Sequence, residues 1–337
     1  MIVLGIESSC DETAAAIYKN GYILSSIVLS QEVHKIYGGV VPEIASREHD
    51  TQITNIVQQS LDKADVSLSD IDGIAVTYGA GLMGALLVGL NFAKGLSIAL
   101  NIPFIGVNHL EGHLYASFLS YPKMSYPYLC LLVTGGHTQI WEVSQPGNYI
   151  LHSNTVDDAA GEAFDKGARI LGLSYPGGPE IERIATNGDP QRYDFPIPKV
   201  KSNPLNFSFS GLKTSLLYKV KEISDSGLDK KRSDIAASYQ DAIINSLIVN
   251  LEKVILLTSI NRISIVGGVA ANQRFRDIAN KLSIKNNLEI YFPSLEFCTD
   301  NAAMIAISGY EKLKNNIFSS LTLKANPSLS LDDKAFS

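Results

Sequence analysis

One pattern occurs twice along this chain, once at its start and once near its middle. Residues 2–18 and residues 128–143 each read as an apolar strand, a polar or glycine-rich turn and a second strand. Later in each half, at residues 71–81 and 262–272, an apolar run leads into a glycine turn and a helical pattern. This repetition predicts a duplicated α/β domain, with the two copies packed as two lobes around a cleft.

The length of the chain agrees with two lobes. It has 337 residues, of which 45% are hydrophobic, and a chain of this size commonly divides into domains of about 150 residues. We predict an N-terminal lobe over residues 1–115 and a C-terminal lobe over residues 116–325. Prolines interrupt residues 187–206, which predicts an inserted loop and helical region near residues 187–232. The polar residues 326–337 should form a loose tail.

Composition limits the compartment and the binding partners. The net charge of −6 argues against a broad RNA-binding surface, because phosphate contacts need clustered Lys and Arg; one basic run, over residues 199–232, is the exception. The cysteines are too far apart to suggest disulfides or a zinc ribbon, and the first residues lack a signal peptide's basic leader. The longest apolar stretch, residues 79–90, is too short to span a bilayer. We expect a cytoplasmic protein without a membrane span.

Two histidines, His109 and His113, stand four residues apart directly after a strand-like run. That spacing places both imidazoles on one face of a helix, where they could bind one metal ion, although such pairs are more often capping or surface histidines. Glu111 is misplaced for the general base of a metallopeptidase, which follows the first histidine directly. A catalytic ion needs a third ligand. Asp300, which could instead cap an apolar helix, and His137 are the candidates.

The hairpin turns suggest a nucleotide site. Turns rich in Ser, Asp and Gly can present backbone N–H groups to phosphate oxygens, although a lone pair such as Gly135 and Gly136 is more often only a tight turn. Repetition of the turn in both halves, and a further glycine turn at residues 267–272, favour the nucleotide. In such a site Asp11 or Glu12 could hold a cation or direct a proton, or could be exposed turn residues.

A series of motifs extends along nearly the whole chain. In chain order they are GIESSCDET at 5–13, GGVVPE at 38–43, SREH at 46–49, HLEGH at 109–113, LVTGGHT at 132–138, DDAAGEAFDK at 157–166, YPGGP at 175–179, FSFSGLKT at 207–214, GGVAAN at 267–272 and CTDN at 298–301. Each alone is a weak signal, but in this order they are highly specific. The chain resembles the TsaD family, also called Gcp or YgjD, of tRNA threonylcarbamoyladenosine transferases.

The resemblance implies a fold and an activity. The fold is the actin-like, sugar-kinase-like (ASKHA) ATPase fold, with the two hairpin turns as phosphate loops. The activity is transfer of the threonylcarbamoyl group from threonylcarbamoyl-adenylate to N6 of the adenine beside the anticodon, in tRNAs that read codons beginning with A, with release of AMP. The implied bacterial partners are a paralogous scaffold subunit and a small ATPase. The alternatives are a kinase or ATPase of the same fold, which leaves the histidine pair without a task, and a metallopeptidase.

Carried over residue by residue, the resemblance assigns two sites and a catalytic pair. His109, His113 and Asp300 match the family's metal ligands, with iron or zinc as the ion. The positions that match those binding the adenylate or nucleotide are Leu132, Val133, Thr134, Gly135, Gly136, His137, Asp165, Gly178 and Asn272. Asp11 and Glu12 are assigned a role in catalysis.

Overall fold

The computed structural model divides the chain into two compact units. Unit 1 comprises Met1–Met124 and Thr299–Ser337, and unit 2 comprises Ser125–Cys298. The residues that the structure describes are 1–198, 200–223 and 225–331. These units differ from the predicted lobes, because unit 1 extends past residue 115 and takes up the chain again at Thr299.

The described part of the chain contains ten strands and nine α-helices. The strands are β1 (Ile2–Glu7), β2 (Glu12–Lys19), β3 (Tyr22–Ser30), β4 (Gly73–Gly79), β5 (Phe104–Asn108), β6 (Tyr128–Val133), β7 (Thr138–Gln145), β8 (Asn148–Asn154), β9 (Arg262–Val266) and β10 (Glu289–Tyr291). The helices are α1 (Pro42–Ala64), α2 (Met83–Leu100), α3 (His109–Ser120), α4 (Ala160–Ile170), α5 (Gly177–Ala185), α6 (Ser210–Glu222), α7 (Asp225–Thr258), α8 (Gln273–Asn286) and α9 (Ala302–Lys314).

Each unit contains one five-stranded sheet, and the two sheets have the same topology. The strand order is β3-β2-β1-β4-β5 in unit 1 and β10-β9-β6-β7-β8 in unit 2. The first strand of each sheet, β1 or β6, pairs antiparallel with the next strand and parallel with the fourth. Strands β1 to β5 therefore correspond one for one to β6 to β10, which confirms the predicted duplication.

In unit 1, helix α9 packs against β1 and β4 at backbone contact distance. A Cβ added to Gly5 would lie 2.4 Å from the carbonyl oxygen of Ala302, and one added to Gly309 would lie 2.2 Å from Cβ of Ala75. Real side chains do not approach so closely, so both positions require glycine. This contact explains why the segment from Thr299 belongs to unit 1 and not to the second lobe.

In unit 2, the long helix α7 runs through the core. Its Tyr239 is fully buried, and the hydroxyl donates a hydrogen bond of 2.9 Å to the carbonyl oxygen of Ala163 in α4. The ring also lies over Gly167, where an added Cβ would be 2.4 Å from a ring carbon. The Tyr239 side chain therefore holds α4 against α7 through both a hydrogen bond and ring packing.

Helix α2 is the most apolar helix of the described chain. Among the described residues it is the one helix that is long and apolar enough to cross a membrane by length and composition. Core helices of globular proteins pass the same test. Here a row of small and apolar residues is buried, and the helix packs against β4 of the same unit. The helical pattern predicted to follow the glycine turn at residues 71–81 is therefore present as α2.

The segment predicted as a loose tail is in part held against unit 1. The N–H of Asn326 donates to the carbonyl oxygen of Tyr78 at 2.8 Å, and that of Gly81 donates to Pro327 at 3.1 Å. Leu329 is 5% exposed and packs into the core of this unit. The prediction is corrected for residues up to 331, since these contacts order the chain; residues 332–337 lie outside the described residues.

The predicted insertion in the second lobe is a loop followed by helices. Of the described residues between α5 and α6, none lies in a helix or in a named strand, and only Phe207 forms an isolated bridge, with Thr155. Helix α6 and the start of α7 complete the region. Lys199 and the side chain of Lys230, both part of the predicted basic run, lie outside the described residues.

The contact between α9 and β4 predicts the effect of a side chain at Gly309. We expect Gly309→Val to destabilise the protein by about 3 kcal/mol and to lower the melting temperature by about 5–10 °C, because the added atoms collide with Ala75 and overpack the core. Thermal unfolding of the full chain measures the shift. The matched control is Gly95→Ala in α2, where an added Cβ meets no atom within 4 Å; it should be neutral or slightly stabilising. Equal shifts in both variants would contradict the packing argument.

Candidate functional site

The first turn of α3 carries the histidine pair. Strand β5 ends at Asn108, whose side chain caps α3 by accepting a hydrogen bond of 2.8 Å from the N–H of Leu110. His109 and His113 lie one turn apart on one face, with ring centroids 4.8 Å apart and both side chains largely buried. The predicted geometry of the pair is confirmed, and capping is done by Asn108.

Asp300 lies between the two imidazoles and the start of α9. Its Oδ1 is 3.0 Å from Nε2 of His113 and 3.5 Å from Nε2 of His109. The cap of α9 is Asn301, whose side chain accepts from the N–H of Met304 at 3.0 Å. Asp300 is therefore not the N-cap. One ligand atom from each of the three side chains lies within 4.8 Å of the other two.

Two of the three ligand-to-ligand distances suit a transition-metal ion, and the third is no more than 4.8 Å. Two ligands that are each about 2.1 Å from one ion lie roughly 3.0–3.4 Å apart, and the two Nε2 to Oδ1 distances are 3.0 and 3.5 Å. Two imidazoles with one carboxylate are a donor set that suits zinc and non-haem iron. Nδ1 of His113 is buried without a hydrogen-bond partner among the described residues, so this ring is held from its Nε2 side.

Carboxylates make the surroundings of the pair strongly negative. Burial, together with Asp300 and Asp11, raises the pKa of Glu12 well above its ordinary value. Burial alone would lower the pKa of His109, but the charges of Asp300 and Glu7 outweigh it and raise that pKa to about 9. The same potential that favours a proton on His109 favours a metal cation at its Nε2, and the two compete for one lone pair.

The turn with Asp11 and Glu12 is held by His49, a histidine to which the sequence analysis assigned no role. His49 of α1 is fully buried, with Nε2 at 3.0 Å from the carbonyl oxygen of Cys10 and Nδ1 at 2.7 Å from the hydroxyl of Thr13. The carbonyl can only accept, so Nε2 donates. His49 thus clamps both ends of the turn. Its position in the SREH motif was the available signal.

Glu111, the residue midway between the two histidines, contacts the last turn of α9. Its carboxylate forms a buried ion pair with Lys312 of α9. It therefore ties α3 to α9 and is not placed as the general base of a metallopeptidase, as the sequence spacing indicated.

In unit 2, the β6–β7 turn is closed at its base and open at its tip. The N–H of Thr134 donates to the carbonyl oxygen of His137 at 2.8 Å, and the N–H of His137 donates to the Thr134 hydroxyl at 3.0 Å. A Cβ added to Gly135 or Gly136 would meet no atom within 4 Å. The backbone at the tip is thus accessible to a ligand. Leu132 and Val133 are fully buried in β6, so they can offer a ligand only backbone groups.

Other predicted nucleotide residues lie on elements that pack around this turn. Gly161 in α4 contacts Thr134, since an added Cβ would lie 2.6 Å from the Thr134 carbonyl oxygen. One turn later, Asp165 accepts a hydrogen bond of 2.7 Å from the N–H of Gly177 at the start of α5. The neighbouring Gly178 is open, with no atom within 4 Å of an added Cβ. Helix α4 therefore links the glycine turn to the N-terminus of α5.

Asn272 is a helix cap in this structure. Its Oδ1 accepts from the N–H of Phe275 at 3.0 Å, and its Nδ2 donates to Oε1 of Gln240 at 2.8 Å. Gln240 also lines a cavity of about 270 Å³ in unit 2, together with Glu182 and Arg274. The hydrogen-bond partner of Asn272 thus lines a cavity, and contact of Asn272 itself with a ligand remains a prediction.

Solved structures identify the class of fold. The activator of the 2-hydroxyisocaproyl-CoA dehydratase from Clostridium difficile with bound ADPNP matches with a TM-score of 0.55 at 16% identity, over 94% of this chain and 97% of that chain. HypF from T. kodakarensis matches with a TM-score of 0.63 at 13% identity, over 94% of this chain and 48% of that chain. At these identities the likeness shows the fold alone, and that fold is the predicted ASKHA type.

Sequence comparison identifies the family. The model of the TsaD family, tRNA N6-adenosine threonylcarbamoyltransferase, matches residues 22–307. The curated relative from Thermosipho africanus is 52% identical over 332 residues, covering 98% of this chain and 100% of the relative. That from Kosmotoga olearia is 52% identical over 332 residues, covering 98% and 99%. Both carry the family's name. The chain belongs to the TsaD family, which confirms the resemblance; it is a transferase that modifies tRNA.

The open tip of the β6–β7 turn leads to a prediction about ligand affinity. We expect Gly136→Ala to weaken binding of an adenine nucleotide roughly tenfold, since the new methyl group occupies the space through which a phosphate reaches the backbone. Isothermal titration of the full chain measures the affinity. The thermal stability should not change, because the methyl group meets no protein atom. The control is Gly211→Ala in α6, where a Cβ makes only ordinary contact, 3.5 Å from Pro198. Equal affinities for both variants and the unaltered protein would contradict the assignment.

Proposed function

We propose that this enzyme transfers the threonylcarbamoyl group of threonylcarbamoyl-adenylate to N6 of the adenine next to the anticodon, in tRNAs that read codons beginning with A, and that AMP is the leaving product. The observation that carries the proposal is the cluster of His109, His113 and Asp300 in a buried, carboxylate-rich part of unit 1. A kinase or ATPase of the same fold gives this cluster no task.

The reaction requires one bond exchange and one proton transfer. A bond forms between N6 and the carbamoyl carbon, the bond from that carbon to the phosphate oxygen breaks, and N6 loses a proton. His109, His113 and Asp300 would hold an iron or zinc ion, which when bound acts as a Lewis acid toward the carbamoyl carbonyl. Glu12 with Asp11 accepts the proton, because the raised pKa of Glu12 makes its carboxylate a better base than an exposed one.

Unit 2 supplies the groups for the adenylate. The backbone N–H groups of Gly135, Gly136 and Gly178 bind phosphate oxygens, as N–H groups in open glycine turns and at helix N-termini do. Asp165 orients the start of α5 through its hydrogen bond to Gly177. Asn272 sits at the start of α8, where its amide can add a polar contact to the nucleoside.

The proposed setting is cytoplasmic and involves partner proteins. A paralogous scaffold subunit and a small ATPase accompany the enzyme, as the family resemblance implies for bacteria. The net charge of −6 supports this, because a protein with few clustered cations gains affinity for RNA when partners contribute phosphate contacts.

The transfer is tested by a labelling experiment. We expect the purified protein, with its partners and threonylcarbamoyl-adenylate made from labelled threonine, to label an A-decoding tRNA and to release AMP. His109→Ala should reduce the rate by about 100-fold or more, since one of only three metal ligands is lost.

The control is a histidine outside the cluster. His152→Ala removes a contact of 2.8 Å to Glu142 between β7 and β8 and should leave the rate nearly unchanged. Absence of label in tRNA would refute the proposed reaction. Equal rates for His109→Ala and the unaltered protein would refute the role of the cluster.

A further inference from the structure

Glu7 is a fully buried carboxylate at the end of β1 to which the reaction as described gives no role. It is 0% exposed and has three hydrogen-bonding neighbours. Oε1 accepts from the N–H of Ser9 at 2.5 Å, and Oε2 accepts from the hydroxyl of Thr77 at 2.6 Å. Oε2 also lies 3.2 Å from Nδ1 of His109. A charge taken out of water needs such partners, and here one of them is a metal-ligating ring.

The contacts determine which nitrogen of His109 carries a proton. A carboxylate oxygen can only accept, so a lone pair on Nδ1 facing Oε2 would be repelled. Nδ1 therefore donates to Glu7. The hydroxyl of Ser9, also 3.2 Å from Nδ1, shares that proton as a second acceptor. Nε2 faces the carboxylate of Asp300 at 3.5 Å, so a metal ion that binds there takes the place of a second proton, and the ring then keeps its proton on Nδ1 alone.

We propose that Glu7 is the positioning residue of the metal site: it holds His109 with the proton on Nδ1, so that Nε2 offers its lone pair to the ion. Metal-ligating imidazoles are commonly oriented in this way by a carboxylate that does not itself contact the metal. The inference rests on the proposed metal site of unit 1. It adds a residue that touches neither ion nor substrate and acts through His109.

The imidazoles of His109 and His113 differ in whether Nδ1 has a hydrogen-bond partner. Nδ1 of His113 has no hydrogen-bond partner among the described residues, so Glu7 acts on one ring of the pair. Loss of Glu7 should therefore matter only while His109 is present. This makes a double-variant cycle informative, because two residues that act through one contact are not additive.

Glu7→Gln is the sharpest substitution, because the amide has the shape of the carboxylate but only one accepting oxygen. The N–H of Ser9 can only donate, so the glutamine oxygen must take the place of Oε1. The amide NH₂ then faces Nδ1 of His109 and donates to it. That moves the ring proton to Nε2, the atom needed by the metal. Thr77→Val is the matched control, since it removes a different hydrogen bond to the same oxygen.

The experiment titrates the full chain with Zn²⁺ alone. We expect Glu7→Gln to bind Zn²⁺ about 10–100-fold more weakly, Thr77→Val to change the affinity by less than about threefold, and Glu7→Gln combined with His109→Ala to bind no more weakly than His109→Ala. Imidazole ¹⁵N spectra of the Zn²⁺-loaded, unaltered protein should show a proton on Nδ1 of His109 and coordination through Nε2. Melting temperatures without metal show whether each variant is folded.

Each contrary result overturns a distinct statement. Unchanged Zn²⁺ affinity in Glu7→Gln, while His109→Ala has lost it, refutes the role of Glu7 and leaves the metal site intact. Coordination of Zn²⁺ through Nδ1 refutes it as well, and so does a further loss in the double variant. Unchanged affinity in His109→Ala refutes the metal site itself and, with it, the inference drawn from it. A Glu7→Gln protein that has lost affinity only because it is unfolded would show no melting transition. In that case Glu7→Asp is the second variant, because its shorter carboxylate still accepts a hydrogen bond from His109, although a weaker one. It should bind Zn²⁺ more tightly than Glu7→Gln, and the reverse order refutes the proposal.

Discussion

The contact of helix α9 with strands β1 and β4 is the constraint on which the proposed metal site depends. Glycines at positions 5 and 309 let backbone approach backbone, with no room for a side chain at either position. Asp300 directly precedes Asn301, the N-cap of this helix, and Glu7 ends β1, one of the strands on which the helix packs. A change of a few tenths of an ångström in this packing would therefore move the carboxylates relative to His109 and His113, since close-packed interiors transmit strain.

The site of unit 1 contains several carboxylates in surroundings where burial disfavours their ionised form. Glu7 is fully buried and Glu12 is partly buried, and their neighbours shift the two pKa values in opposite directions. Burial raises the pKa of Glu7, but the imidazole of His109 and the hydrogen bond from Ser9 outweigh burial and lower that pKa. Glu12 has carboxylates as neighbours, which add to burial and raise its pKa. The lowered pKa keeps Glu7 ionised, as its proposed role toward His109 requires, and the raised pKa of Glu12 suits its proposed role in proton exchange; the two residues flank one hairpin turn.

Local patterns in the sequence predicted the repeated hairpins, the helical spacing of His109 and His113 and the family motifs. They did not predict that the chain returns to unit 1 after Cys298, because that depends on the fit of Gly309 against Ala75, which has no local signature. Whether Asp300 caps α9 depends on where the helix starts, and a shift of one residue gives the cap to Asn301. Glu7 ends an apolar strand run, and its hydrogen bonds to Thr77 and His109 come from residues far along the chain.

The duplication also shows how two copies of one topology can acquire different chemistry. The β1–β2 turn of unit 1 and the β6–β7 turn of unit 2 occupy equivalent places in their sheets. The first carries Asp11 and Glu12 close to buried imidazoles and carboxylates, whereas the second presents open glycine backbone without a nearby acidic side chain in the turn. Phosphate is repelled by the charges of the first turn and suits the N–H groups of the second. A phosphate loop in unit 1, as the resemblance implies, therefore requires a bound cation to offset its carboxylates. Among the described residues, the proposed metal ligands His109, His113 and Asp300 are a group of side chains of the type that holds one.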